Sequence, residues 1–258
     1  MSHPDVVVHA TAEVLAAATA ARLVTRIVDI QTAAGSASLV LTGGRIAGAV
    51  LRELADTQTA AAVDWHKLDV YWGDERFLPS GHPERNETQA RQALLDHVSL
   101  DPGRIHPMGA SDGRWGDDPD AAAQAYEDLL LSRRQPEDRG LAPSFDICCL
   151  GIGEEGHVGS VFPGTPAVYE TERAVIGVRG SPKPPPTRIT MTLPAIRCAT
   201  EVWLIASGSA KAAAVTMALR GGAGEVQLPA AGATGQRRTL WLLDRRAAAK
   251  LPTELLGR

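Results

Sequence analysis

The chain has 258 residues, 44% of them hydrophobic, and a formal net charge of −4. That length fits one large α/β domain or two small ones, and the composition can bury a sizeable core. The acidic balance argues against a nucleic-acid partner and requires local cations to meet any anionic substrate.

The predicted elements alternate. Val6–His9 reads as a first strand, and residues 12–30 as an amphipathic helix with Leu15, Leu23, Ile27 and Ile30 on one face. Ser38–Leu41 is a second strand ended by Thr42-Gly43-Gly44, and the next helix carries Ile46, Val50 and Leu54 at four-residue spacing. Leu68–Trp72 is a third strand, ended by the charged run Gly73-Asp74-Glu75-Arg76. Residues 86–98 read as a helix, Ile105–Met108 as a short strand and Pro119–Arg134 as a further helix. Phe145–Leu150 is a central strand, while Ala174–Val178 and Arg188–Thr192 are β-like. Glu201–Ala206 leads into a Ser207–Arg220 helix, and Thr239–Leu243 is the last strand before a short terminal helix.

Strands alternating with helices of this length predict a three-layer α/β/α fold around a mostly parallel, Rossmann-like central sheet, with residues 1–258 as a single domain. Residues 109–120, rich in Gly and Asp, and residues 221–236, rich in Gly and Ala, are candidates for mobility. The three cysteines, Cys148, Cys149 and Cys198, have no CxxC spacing, so buried reduced thiols in a cytoplasmic protein are expected and structural zinc is not. No run approaches the ~18 apolar residues of a membrane span. The N-terminal residues lack the pattern of a secretory signal.

Open α/β sheets bind ligands beyond the carboxyl ends of their strands. Gly151-Ile-Gly-Glu-Glu-Gly-His157 follows the central strand and presents a histidine beside Glu154 and Glu155. Histidine is the side chain best suited to accept and return a proton near neutral pH. The two glutamates either orient its ring or are solvated bystanders. Metal ligation is disfavoured, because no second histidine lies at helical spacing. Thr42-Gly43-Gly44 opens a helix, where free N–H groups favour phosphate. A plain tight turn explains it equally well, and it matches neither a Walker A loop nor a dinucleotide fingerprint. Pro182-Lys-Pro-Pro-Pro-Thr-Arg188 is a stiff segment that delivers Arg188 into an apolar run. Lys211 falls in the first turn of a helix, unfavourable for the helix dipole unless an anion sits there.

Together these pieces resemble the 6-phosphogluconolactonase family, whose superfamily also holds glucosamine-6-phosphate deaminases and ribose-5-phosphate isomerases. The resemblance runs through Leu41–Gly44, Trp72–Arg76, Asn86, Gly151–Gly164, Ser181–Thr192, Ser207–Lys211 and Trp241–Asp244, in family order over most of the chain. It implies hydrolysis of 6-phospho-D-glucono-1,5-lactone to 6-phosphogluconate in the pentose phosphate pathway. It implies no metal or organic cofactor and only a small phosphorylated sugar lactone as partner, in a monomer or weak homodimer. By the resemblance His157 is the general base, with Arg76, Asp74 and Glu155 beside it. Thr42, Gly43, Gly44, Arg45, Asn86, Gly153, Arg188 and Lys211 would bind the substrate and its phosphate.

The chain departs from the family pattern in having Glu155 where aspartate is usual, Arg45 where a small residue is usual, and Gly159 and Val161 in the histidine turn. Two other functions compete. A sugar-phosphate isomerase or deaminase would need a carboxylate base, and those deaminases tend to carry an aromatic where Arg76 stands. A non-catalytic sugar-phosphate sensor would have lost His157 or Arg76, and both are present.

Overall fold

A computed structural model describes residues 4–255. Its strands are β1 (Asp5–His9), β2 (Ala37–Leu41), β3 (Leu68–Trp72), β4 (Asp74–Arg76), β5 (Ile147–Gly151), β6 (Val175–Val178), β7 (Arg188–Met191), β8 (Glu201–Ala206) and β9 (Arg238–Asp244). The helices are α1 (Ala12–Ala34), α2 (Arg45–Asp56), α3 (Asn86–Ala93), α4 (Pro119–Ser132), the single turns α5 (Pro166–Tyr169) and α6 (Leu193–Ile196), α7 (Ala212–Arg220) and the single turn α8 (Pro229–Gly232).

Six strands form one parallel sheet in the order β1-β9-β8-β5-β2-β3. Because successive strand residues face opposite ways, the sheet divides its apolar residues between two cores. Leu39, Leu41, Ile147, Cys149, Trp203, Ile205, Leu240 and Leu242 pack with Leu15, Leu23 and Ile27 of α1 and Val50 and Leu54 of α2. Val40, Cys148, Leu150, Val202, Leu204, Trp241 and Leu243 pack on the other face with Tyr126 and Leu130 of α4 and Val215 of α7. The adjacent cysteines thus enter opposite cores, as expected of neighbours on a strand. All three cysteines are free and buried, and burial raises the Cys149 thiol to about 12.

The expected layers are present, with one addition. Strands β4, β7 and β6 form a separate antiparallel sheet, with Asp74 opposite Thr190 and Arg76 opposite Arg188. The charged run Asp74–Arg76 is therefore a strand that turns off the parallel sheet at Gly73, not the loop its composition suggests. Ile189 and Met191 of this small sheet join the α4-side core.

Other expectations need correction. Ile105–Met108 makes one bridge, Ile105 to Val70, and no strand, since Pro107 lacks the N–H to continue a ladder. The Ser207–Arg220 helix begins only at Ala212, because Gly208 has φ +91° and a 3₁₀ turn over Ser209–Lys211 intervenes. The α3 helix stops at Ala93, where Leu94 leaves helical geometry at φ −148°. No α-helix follows β9 among the described residues: Asp244 takes the Ala247 N–H at 2.7 Å and the chain turns to Pro252. In the Gly/Ala-rich 221–236 stretch Leu228 is fully buried, and Ala230 donates its N–H to Gly156 O at 2.9 Å. That stretch is packed against the histidine turn. No described helix is long and apolar enough to cross a membrane.

Candidate active site

The order in which strands are added to the sheet reverses between β2 and β5: β3 lies outside β2 on one side, and β8 and β9 lie outside β5 on the other. Such a switch point opens a crevice at the carboxyl ends of the two central strands. The turn after β2 carries Thr42–Gly44 and the turn after β5 carries Gly151–His157, so both open into that crevice. A cavity of about 280 Å³ lies there. Its lining brings together Thr42, Gly43, Gly44, Arg45, Asp74, Arg76, Asn86, Gly153, His157, Arg188 and Lys211, and adds Lys183 of the proline segment. Glu155 lies behind His157 and does not line it.

The histidine is held from one side. Its Nδ1 is buried against Gly153, where any side-chain carbon would occupy the space of the ring. Glu155 Oε2 approaches Nδ1 at 3.3 Å without the alignment of a hydrogen bond. The ring packs on Phe162 at a centroid distance of 4.2 Å. With Nδ1 enclosed, Nε2 is the nitrogen left for the cavity. Burial lowers the His157 pKa below the usual 6.5. Glu155 raises it, Lys183 lowers it and Asp74 raises it, and burial prevails. The ring is therefore neutral at neutral pH, as a proton acceptor must be. Glu154 points elsewhere, its carboxylate 3.9 Å from Lys211 Nζ.

Asp74 sits at the floor. Its carboxylate accepts from Ser160 Oγ at 2.8 Å and from Asn86 Nδ2 at 3.3 Å, and lies 3.9 Å from the Arg188 guanidinium. Asn86 also donates to the Asp74 carbonyl at 2.9 Å, and its amide lies flush on Gly43, where a side chain would collide with it. One amide thus ties β4, the start of α3 and the β2 turn together.

Arg188 is buried and its donors point mainly into the protein. Nε donates to Pro185 O at 3.1 Å, and Nη2 to Lys183 O at 3.2 Å and Pro184 O at 3.0 Å. The residue expected to grip a ligand phosphate thus spends most of its fork on the proline segment. Arg76 donates Nη1 to Glu84 O at 2.6 Å and keeps a face on the cavity.

Anion-binding groups reach the cavity from several elements. Gly44, at φ +103°, begins that helix with no side-chain cap and no acid in its first turn, so its N–H groups and dipole are open to an anion. Lys211 is the residue before α7, not within it, and its ammonium is half-buried. Burial lowers its pKa and Lys183 and Arg45 lower it further, against Glu154 and Glu155. Five cations, Arg45, Arg76, Lys183, Arg188 and Lys211, line the cavity against one carboxylate, Asp74. This is the local cationic field that the chain's negative net charge demanded for an anionic substrate. No group of three or more potential metal ligands occurs among the described residues.

Residues 10–241 match the family model described as glucosamine-6-phosphate isomerases/6-phosphogluconolactonase. The chain is 60% identical to 6-phosphogluconolactonase of Streptomyces coelicolor over 252 residues, covering 98% of this chain and 96% of that one. It is 52% identical to the 6-phosphogluconolactonase of Mycobacterium tuberculosis over 241 residues, covering 93% and 96%. The solved structure of 6-phosphogluconolactonase from Trypanosoma brucei superposes with a TM-score of 0.85 at 27% identity, covering 98% of this chain and 100% of that one. The chain belongs to the glucosamine-6-phosphate isomerase/6-phosphogluconolactonase family.

Within this family fold, sequence reasoning missed Lys183 and Ser160. Lys183 had a signal: it is a lysine framed by prolines in the segment that delivers Arg188. Ser160 had none, since only the folded β4 brings Asp74 to it.

Proposed function

We propose that the chain hydrolyses 6-phospho-D-glucono-1,5-lactone to 6-phospho-D-gluconate, the lactone step of the oxidative pentose phosphate pathway. The observation that carries the reading is a neutral histidine lining the same cavity as an uncapped helix start and five cationic side chains. The substrate is a phosphate dianion at one end and an activated ester at the other, and the cavity carries groups suited to both.

His157 Nε2 takes a proton from a water positioned at the lactone carbonyl carbon. The water oxygen bonds to that carbon, and the carbonyl electrons move to oxygen. Arg76, from β4, faces the developing oxyanion. A positioned base contributes typically ~10²–10⁴-fold, and each fixed donor at an oxyanion about 10²–10³. Collapse of the tetrahedral intermediate breaks the bond to the ring oxygen, which takes the proton back from His157. Glu155 stabilises the transient imidazolium from the Nδ1 side. Thr42, Gly43, Gly44, Arg45 and Lys211 hold the phosphate, whose binding energy orients the carbonyl. Arg188 supports that grip by fixing the Lys183–Pro185 carbonyls. Asp74 and Asn86 set the floor, and Gly153 gives the ring its place.

No step requires a metal or organic cofactor. We propose further that the chain acts as one domain in the cytoplasm, as a monomer or weak homodimer, on a free metabolite without nucleic-acid or membrane partners. The test is acid release from freshly generated lactone with the spontaneous rate subtracted. Acceleration is expected, and no acceleration above the spontaneous rate overturns the reading.

A further inference from the structure

Oε2 of Glu155 serves two cations-in-waiting at once. It lies 2.9 Å from Lys183 Nζ and 3.3 Å from His157 Nδ1. The lysine has the hydrogen bond, and the histidine nitrogen has none although it is buried. A buried polar nitrogen left without a partner is unfavourable, so the arrangement is incomplete at the histidine. Lys183 lines the cavity and Glu155 does not. The lysine is therefore the only one of the two that an incoming anion can touch. The ring itself has no room to swing, since Gly153 encloses Nδ1, whereas the lysine stem is flexible and 41% exposed.

Resting on the reading of His157 as general base, we propose that Lys183 is a positioning residue that withholds the Glu155 carboxylate from His157 until the substrate's anionic group draws the lysine into the cavity. The carboxylate then turns to the Nδ1–H, orients the ring and stabilises the imidazolium formed when Nε2 takes the proton from water. No atom is gained or lost in the exchange: one ion pair replaces another, and the proton returns to the leaving oxygen. The side chain of Glu155, one methylene longer than an aspartate, is what lets one oxygen lie between both partners. Four other charged groups lie around the ring's side of the molecule: Asp74 from β4, which raises the ring's pKa, Arg188 over the Phe162 ring at 5.9 Å, and Arg76 and Lys211, which line the same cavity. None of these four contacts the Glu155 carboxylate, so only the Lys183–Glu155 pair makes the exchange.

The test is a proton NMR titration of the His157 ring, identified by its loss in His157→Gln, in free protein and at saturating 6-phosphogluconate. In Lys183→Met the free-protein midpoint should move to higher pH, because the carboxylate is released without ligand. Saturating 6-phosphogluconate should raise the wild-type midpoint more than that of Lys183→Met. Lys183→Arg should restore the wild-type midpoint, and Glu155→Gln should remove the difference between Lys183 variants. A midpoint in Lys183→Met equal to wild type, or an equal response to 6-phosphogluconate in both, overturns the proposal. The free-protein titration needs no turnover, so failure of the lactonase reading would show separately, as absent acid release.

Discussion

Glu75 caps a helix to which it does not belong. From β4 its carboxylate accepts the N–H of Asn86 at 2.6 Å and of Glu87 at 2.9 Å, the first two residues of α3, and also the N–H of Arg76 at 2.7 Å. Its side chain is fully buried beside Arg85, 3.7 Å away. Burial raises its pKa to about 7, against the lowering by Arg85 and the three N–H groups. Glu75→Ala leaves three backbone donors without their acceptor and Arg85 without one of its carboxylates. The variant should lose about 3–5 kcal/mol of stability, as when one member of a buried charge network is removed. Urea unfolding checks this, and a loss within 1 kcal/mol would show that Glu75 does not hold the β4–α3 junction.

Gly153 sets the position of the base. In Gly153→Ala the new methyl takes the space of Nδ1 and pushes the ring outward. A displacement near 1 Å costs on the order of 10²-fold in rate, so kcat should fall by about that factor while the far-UV circular dichroism is retained. Unchanged kcat would mean that the ring position is not set here.

The pH profile follows from the direction of the His157 shift. The pKa is lowered from 6.5, chiefly by burial, and the reaction needs the neutral ring. A base with a depressed pKa stays neutral to lower pH, so the acid limb of kcat/KM should have its midpoint below 6.5. A midpoint above 6.5 in the free enzyme would contradict the burial argument.

Arg188 separates two roles by experiment. Its hydrogen bonds run to Pro185, Lys183 and Pro184 carbonyls, and lysine cannot reproduce that fork. Arg188→Lys should lower stability by about 1.5–3 kcal/mol, the worth of hydrogen bonds to a charged group, and raise KM through disorder of the Lys183 segment. If instead KM rises while thermal unfolding is unchanged, Arg188 contacts the phosphate directly.

Much of this architecture was legible because it rests on local pattern. The short apolar strand runs, the helical faces of α1 and α2, and the glycine turns after β2 and β5 are written in consecutive residues. Of the small antiparallel sheet β6 and β7 read as β-like, but β4 was hidden, because Asp74–Arg76 is a run of three charges. Their burial depends on β7, more than a hundred residues later, and on Asn86 and Ser160. Arg188 was recognisable as important, but its inward fork depends on the path of the proline segment. Lys183 was marked only by its flanking prolines, and its pairing with Glu155 depends on that same path.

The most direct test of the central claim compares wild type with His157→Ala in acid release from freshly generated 6-phosphogluconolactone, with folding of the variant verified by circular dichroism. The wild type should accelerate hydrolysis well above the spontaneous rate, and the variant should lose most of that acceleration, about 10²-fold or more. A folded His157→Ala protein as active as wild type would contradict the assignment of His157 as the base.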